Sequence, residues 1–206
     1  MSRLLAILSL ALALATADSD AQPKQAPPLV IGEMLKGRFI QERHLSGMSA
    51  PLRSEGQFLL LPGRGLIWRV ERPFATVAVI TPVGILQSVN GAEPMRLPAA
   101  RLPSLARFYD MLAGALTGDW VAMQQKFHVE AHTDGASWTI ALTPRDPSDA
   151  ITTQIATIAV TGSELVESVE IHRPNGDWER LTFHDQTRSA AAPSPDDIRL
   201  FESAEN

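Results

Sequence analysis

Between residues 38 and 89, five short segments follow one another with little chain between them: RFIQERHL (38–45), LRSEGQFLLL (52–61), GLIWRVER (65–72), ATVAVITP (75–82) and GILQSV (84–89). Their borders are glycine, proline and small polar residues, the composition of turns between strands. Most of the connections are too short to hold a crossover helix, so successive strands must run antiparallel. A chain that opens this way is committed to a meander. Two stretches, FLLL (58–61) and TVAVI (76–80), are apolar on both parities, which predicts strands covered on both faces.

The period then changes. LPSLARFYDMLAGALTG (102–118) spaces Leu105, Phe108, Met111, Leu112 and Leu116 as one helical stripe, with Ser104 as cap and Gly118 as stop. A second short helix is expected at 119–127, capped by Asp119. Strands resume at 128–133, 137–144, 151–160, 164–174 and 177–185, the last two joined by Asn175-Gly176, a strong hairpin signal. LVIGEMLKG (29–37) has partial helical spacing, and the tail carries one helical turn from Pro195. Ten strands split by a helical insertion describe an α+β fold, one large curved sheet with helices on one side.

The termini and composition narrow the class. Arg3 followed by the apolar run Leu4–Ala15 and Ala15-Thr16-Ala17 reads as a cleaved export signal over 1–17. Residues 18–28 are a polar, proline-rich leader, 29–201 a single domain and 202–206 a tail. The chain contains no cysteine, so its core holds without disulfides, and no thiol follows the signal to be lipidated. The full chain carries a net charge of −5, and about −6 once Arg3 is removed, which argues against a nucleic-acid partner.

Catalytic chemistry finds no footing. His128 and His132 flank Glu130 on a strand without a third ligand, so packing or surface roles outweigh a metal site. His172 and His184 are placed to face each other across the Asn-Gly hairpin, which does not make a site either. Neither LSGMS nor VTGSE forms a nucleophile elbow. The acidic pairs Asp196-Asp197 and Asp146–Asp149 lie in proline-rich loops. PGRG (62–65) resembles a phosphate loop, but it leads into a strand, whereas an anion cradle needs a helix N-terminus. No catalytic residue, metal or cofactor is assigned.

An excess of apolar sheet remains, and a curved apolar sheet suits acyl chains. The order of elements around GRFIQERHLSGMSAPLRSEGQFLLLPGRGLIWRVERP resembles the LolA family of periplasmic lipoprotein carriers, in its LolA-like branch, with Phe39, Gln41, Gly56, Trp68 and Pro73 in register. The resemblance covers about residues 29–185. It implies an unclosed antiparallel β-barrel with a helical lid over an apolar cavity, and a non-enzymatic, exported monomer. It also implies an inner-membrane exporter and an outer-membrane acceptor as partners. It places an Arg-Pro pair at 62–63, whose arginine latches the lid; here stand Pro62 and Gly63, with Arg64 next.

The expected cavity lining is one parity of each strand: Leu66, Trp68, Val70; Val77, Val79; Trp138, Ile140, Leu142; Val169, Ile171; Leu181 and Phe183. The lid is Leu105, Phe108, Met111, Leu112 and Leu116, flanked by Arg96, Arg101 and Arg107, which read first as a solvated basic face and second as contacts for an anionic head group. The ligand is the acyl chain of a lipoprotein or another lipid. A second reading is a non-enzymatic interaction or sensor module of the cell envelope built on the same fold.

Overall fold

The computed structural model describes residues 29–98, 114, 123–146 and 154–206. In chain order the strands are β1 (Met34–His44), β2 (Leu52–Leu61), β3 (Gly65–Arg72), β4 (Thr76–Thr81), β5 (Gly84–Val89) and β6 (Met95–Pro98). They continue as β7 (Phe127–Asp134), β8 (Ser137–Pro144), β9 (Thr157–Gly162), β10 (Val166–His172) and β11 (Trp178–Ser189), and helix α1 (Pro195–Glu205) closes the chain. All eleven strands form one antiparallel sheet in the order β6-β5-β4-β3-β2-β1-β11-β10-β9-β8-β7. Two meanders are thus joined where β1 pairs with β11, and the sheet is unclosed, with β6 and β7 at its edges.

The Pro62-Gly63-Arg64 stretch is the β2–β3 turn. Arg64 donates its backbone N–H to the Leu61 carbonyl at 3.0 Å, and Gly63 takes φ +77°, a conformation that costs a glycine little. Gly56 is equally specific. A Cβ there would lie 1.8 Å from the Arg69 carbonyl oxygen, because the β2–β3 ladder shifts register between Glu55 and Gly56.

Cross-strand partners share a face, so the register sorts the core into two sides. The first side buries Leu35, Phe39, Phe58, Leu60, Leu66, Trp138, Ile140, Leu142, Ile158, Val160, Val169, Ile171, Leu181 and Phe183 in one cluster. The second buries Met34, Leu59, Ile67, Val79 and Leu86 against Phe201 and Ala204 of α1. This explains FLLL: Phe58 and Leu60 belong to the first side, Leu59 to the second.

α1 is longer than the single turn its sequence suggests. Ser194 caps it, its side chain accepting from the Asp197 backbone N–H at 3.2 Å, and Pro195 opens the first turn. The helix runs to Glu205 with Ala204 buried, so residues 202–205 belong to the folded unit and are not a tail. Three arginines fasten it to the sheet. Arg69 bonds Asp197 at 2.6 Å, Arg64 bonds Glu205 at 2.9 Å, and Arg96 donates to the Ala204 carbonyl at 2.7 Å and to that of Ser203. Cations at the C-terminal carbonyls also suit the helix dipole.

Burial pushes the Asp197 carboxyl upward, but the Ser194 hydroxyl and the Arg69 guanidinium more than reverse this and hold it below the ordinary carboxylate value. A lowered folded-state pKa adds stability above the unfolded value, about 4, and that stability is lost as pH falls through the folded value. Asp197→Asn should therefore destabilise the protein at pH 7, with the difference shrinking as pH falls from the unfolded value through the lowered folded one. Thermal melts of both proteins across pH check this; an equal gap at both ends would contradict it.

The structure corrects other expectations. Residues 29–37 are not a helix: Val30 to Glu33 form a turn, and β1 begins at Met34. The amphipathic spacing there was too short to separate a helix from a buried strand start. β6 is an additional strand, only four residues long and mostly exposed, so it lacks the apolar alternation that marks a strand. The helix expected at 102–118, with the lid residues Leu105, Phe108, Met111, Leu112 and Leu116, lies outside the described residues apart from Gly114, as do Arg101 and Arg107. Of the helix expected at 119–127, the described part is helical at Met123 and Gln124, and Phe127 already begins β7.

Candidate functional site

The first side of the sheet is built in rows. One row runs Ser54–Gln41–Leu181–Val169–Val160–Ile140, and the next runs Leu52–Arg43–Glu179–Ile171–Ile158–Leu142. Away from β1 and β2 the rows are almost wholly aliphatic. Toward the other end of β1, four rings from four strands meet. Phe39 stacks on Trp68 with centroids 3.7 Å apart, Phe58 lies edge-on to Phe183 at 5.4 Å, and Trp68 is 6.2 Å from Phe58 and 6.4 Å from Phe183. Such pairs stabilise beyond the area they bury. Trp138 is held separately, its indole N–H donating to the Ser163 carbonyl. Its ring occupies the space a Cβ on Gly162 would need, 2.5 Å away.

Ten of the twelve residues expected to line a cavity fall on this side: Leu66, Trp68, Val70, Trp138, Ile140, Leu142, Val169, Ile171, Leu181 and Phe183. Val77 and Val79 do not. They pack on the opposite side, in the cluster around α1. The β3–β4 register pairs Leu66 with Ile80, Trp68 with Ala78 and Val70 with Thr76, so the even-numbered residues of β4 face the candidate site. TVAVI is apolar on both parities, with Val77 and Val79 on one and Ala78 and Ile80 on the other, so the sequence does not choose between them. Phe39 and Phe58, absent from the expected lining, lie on this side as well, and Phe39 stands directly opposite Phe183 in the register.

Polar groups interrupt this face at one end. Arg43 pairs with Glu179 at 3.0 Å, and the Ser54 hydroxyl donates to Gln41 at 3.0 Å. Glu179 is one of only two polar residues fully buried among those described. Arg96 does not flank the site, because α1 occupies it on the other face. Arg64 likewise serves α1, with its guanidinium 5.1 Å from the Phe201 ring centroid.

The histidines do not assemble. His172 stands across from Trp178 and bonds Glu170, while His184 contacts Asp185 and pairs with Arg38 across the ladder. Trp178 instead lies between His172 and His44, the latter stacked at 3.7 Å. Among the described residues no three His, Asp or Glu side chains are grouped to hold a metal ion. Among them, too, no helix is long and apolar enough to cross a membrane.

Residues 29–200 match a family model described as outer membrane lipoprotein carrier protein LolA-like. No curated protein matches the chain significantly. Among solved structures, a LolA superfamily protein from Nitrosomonas europaea is 11% identical, covering 80% of this chain and 89% of its own, with a TM-score of 0.38. A putative outer membrane lipoprotein-sorting protein domain from Vibrio parahaemolyticus is 9% identical over 82% of this chain and 91% of its own, with a TM-score of 0.36. The MucA/MucB complex of Pseudomonas aeruginosa gives 15% identity over 81% of this chain and 55% of that one, with a TM-score of 0.39.

Proposed function

The chain belongs to the LolA-like family of outer membrane lipoprotein carrier proteins, and from that membership we propose that it is a periplasmic carrier. Its apolar sheet face takes up the acyl chains of lipoproteins or other lipids and moves them toward the outer membrane. The observation that carries this reading is the single cluster formed by Phe39, Phe58, Leu66, Ile140, Val169, Leu181 and Phe183 across most of the sheet, with Trp68 packed against it. Curved around a ligand, such a face offers an acyl chain an environment free of unpaired polar groups over most of its length.

Transfer energies set what the face must do. Burying an acyl chain is worth about 0.8 kcal/mol per CH₂, so exposing a sixteen-carbon chain to water costs on the order of 10 kcal/mol. A carrier must offset most of this and still release its cargo. A face that is already packed when empty meets both demands: the acyl chain displaces protein contacts, and the net affinity stays moderate. The site needs no catalytic group, and exporter and acceptor proteins at the two membranes supply the direction of transfer.

Titration of the mature protein with a fluorescent fatty acid tests this. Saturable binding, competed by unlabelled palmitate, is expected. Absence of binding, together with stoichiometric capture of one envelope protein, would favour the interaction-module reading instead.

A further inference from the structure

Glu179 is the least expected residue on the apolar face. Its side chain is 6% exposed, and its neighbours in the row are Ile171 on β10 and Arg43 on β1. Arg43 is 49% exposed and uses Nε alone to reach Glu179 Oε2. Both Nη groups of Arg43 and Oε1 of Glu179 have no hydrogen-bond partner among the described residues. Among the described residues the one buried side-chain polar atom without a hydrogen-bond partner is Gln186 Oε1, so the free groups of Arg43 and Glu179 are open to solvent at the end of the apolar face, where an incoming head group can reach them. Gln41 and Ser54, bonded to each other, complete a polar corner beside it.

We infer that this corner receives the polar head of the bound lipid, and that the head it fits is a zwitterion with adjacent anionic and ammonium groups. The inference rests on the carrier reading above. The unused Nη groups of Arg43 present donors to a phosphate or carboxylate, and Oε1 of Glu179 accepts from an ammonium beside it. Two ion pairs laid head to tail neutralise one another. A purely anionic head gains Arg43 but is set against the Glu179 carboxylate, and like charges at such distances repel strongly away from bulk water. A single cation meets the reverse problem. The acyl chain then runs from this corner along Leu181 and Phe183 toward the aromatic group of Phe39, Phe58 and Trp68.

The test is a competition series on the full mature chain at one ionic strength, with a fluorescent fatty acid as the displaced probe. Four palmitoyl ligands differ only in the head: lysophosphatidylethanolamine, Nα-palmitoyl-lysine, lysophosphatidylglycerol and palmitate. The first two carry phosphate-plus-ammonium and carboxylate-plus-ammonium, and the tighter of them identifies which anion Arg43 takes. At least one zwitterion is expected to bind roughly tenfold tighter than lysophosphatidylglycerol, a factor that one well-placed charged hydrogen bond supplies. Glu179→Gln should erase that preference while palmitate still binds; an unchanged preference in the folded variant would overturn the assignment. Equal affinity for zwitterionic and anionic ligands in the unmutated protein would do the same and leave the carrier reading standing. Failure of every palmitoyl ligand to displace the probe, or of the probe to bind, would remove both.

Discussion

Phe201→Ala should cost about 3–5 kcal/mol of folding stability, the range for removing a fully buried phenyl ring. Phe201 has 0% relative exposure and is the anchor of α1, reaching the cluster of Met34, Leu59, Ile67, Val79 and Leu86. Little else on the helix can substitute for it: of its residues only Phe201 and Ala204 are buried. The ion pairs of Arg64 and Arg69 are part-exposed, and such pairs each contribute at most about 1 kcal/mol. Loss of the ring should thus free the helix and uncover Leu59, Ile67 and Val79, side chains that are otherwise dry. Urea denaturation would show a lower midpoint, and amide exchange would rise first in residues 195–205. A cost under about 1 kcal/mol would mean that the helix is held by its charges instead. Where the variant is still folded, its affinity for a fatty acid should be unchanged, because the helix and the candidate site lie on opposite faces of the sheet.

Phe39→Ala should cost a similar amount, about 3–5 kcal/mol, with the opposite functional signature. Phe39 is also at 0% exposure, but it sits on the candidate face, stacked on Trp68 and paired in the ladder with Phe183. Its removal leaves a void beside Trp68 and strips the indole of its closest ring contact. Fatty-acid affinity should then change in parallel with stability. A destabilised Phe39→Ala variant with unaltered affinity would show that the aromatic group is core alone. The pair of variants separates the two faces: both lose stability, and only one alters binding.

The strands were legible where the chain is monotonous. Turn residues bound β2, β3, β5 and β8, whose limits follow directly from their flanking glycines, prolines and polar residues. FLLL revealed that both faces are covered, but not by what. The covering residues of α1 are few and widely spaced among charges, so the segment after Ser194 showed its cap and not its length. Cross-strand register was the harder quantity. TVAVI is apolar on both parities and so could not choose a side for Val77 and Val79, while the turn at 73–75 sets Ala78 opposite Trp68. A one-residue error of this kind moves a whole strand to the other face. Glu179 shares the parity of Leu181 and Phe183, so alternation alone puts it on the same face; its burial and its Arg43 partner appear only when β11 is laid against β1. The family resemblance supplied the order of elements, and Arg64 shows where local detail departs from it, since here the arginine beside the turn secures α1.

The most direct test of a lipid-carrying role is the composition of what the protein holds when made in its own compartment. Mature protein purified from an envelope extract without detergent, then denatured and extracted, should release acyl lipid in a fixed molar ratio approaching one per chain, detected by mass spectrometry. Phe39→Ala should alter that ratio and Phe201→Ala should not. Protein that emerges free of lipid, and that stays free of it when incubated with membranes, would contradict the account.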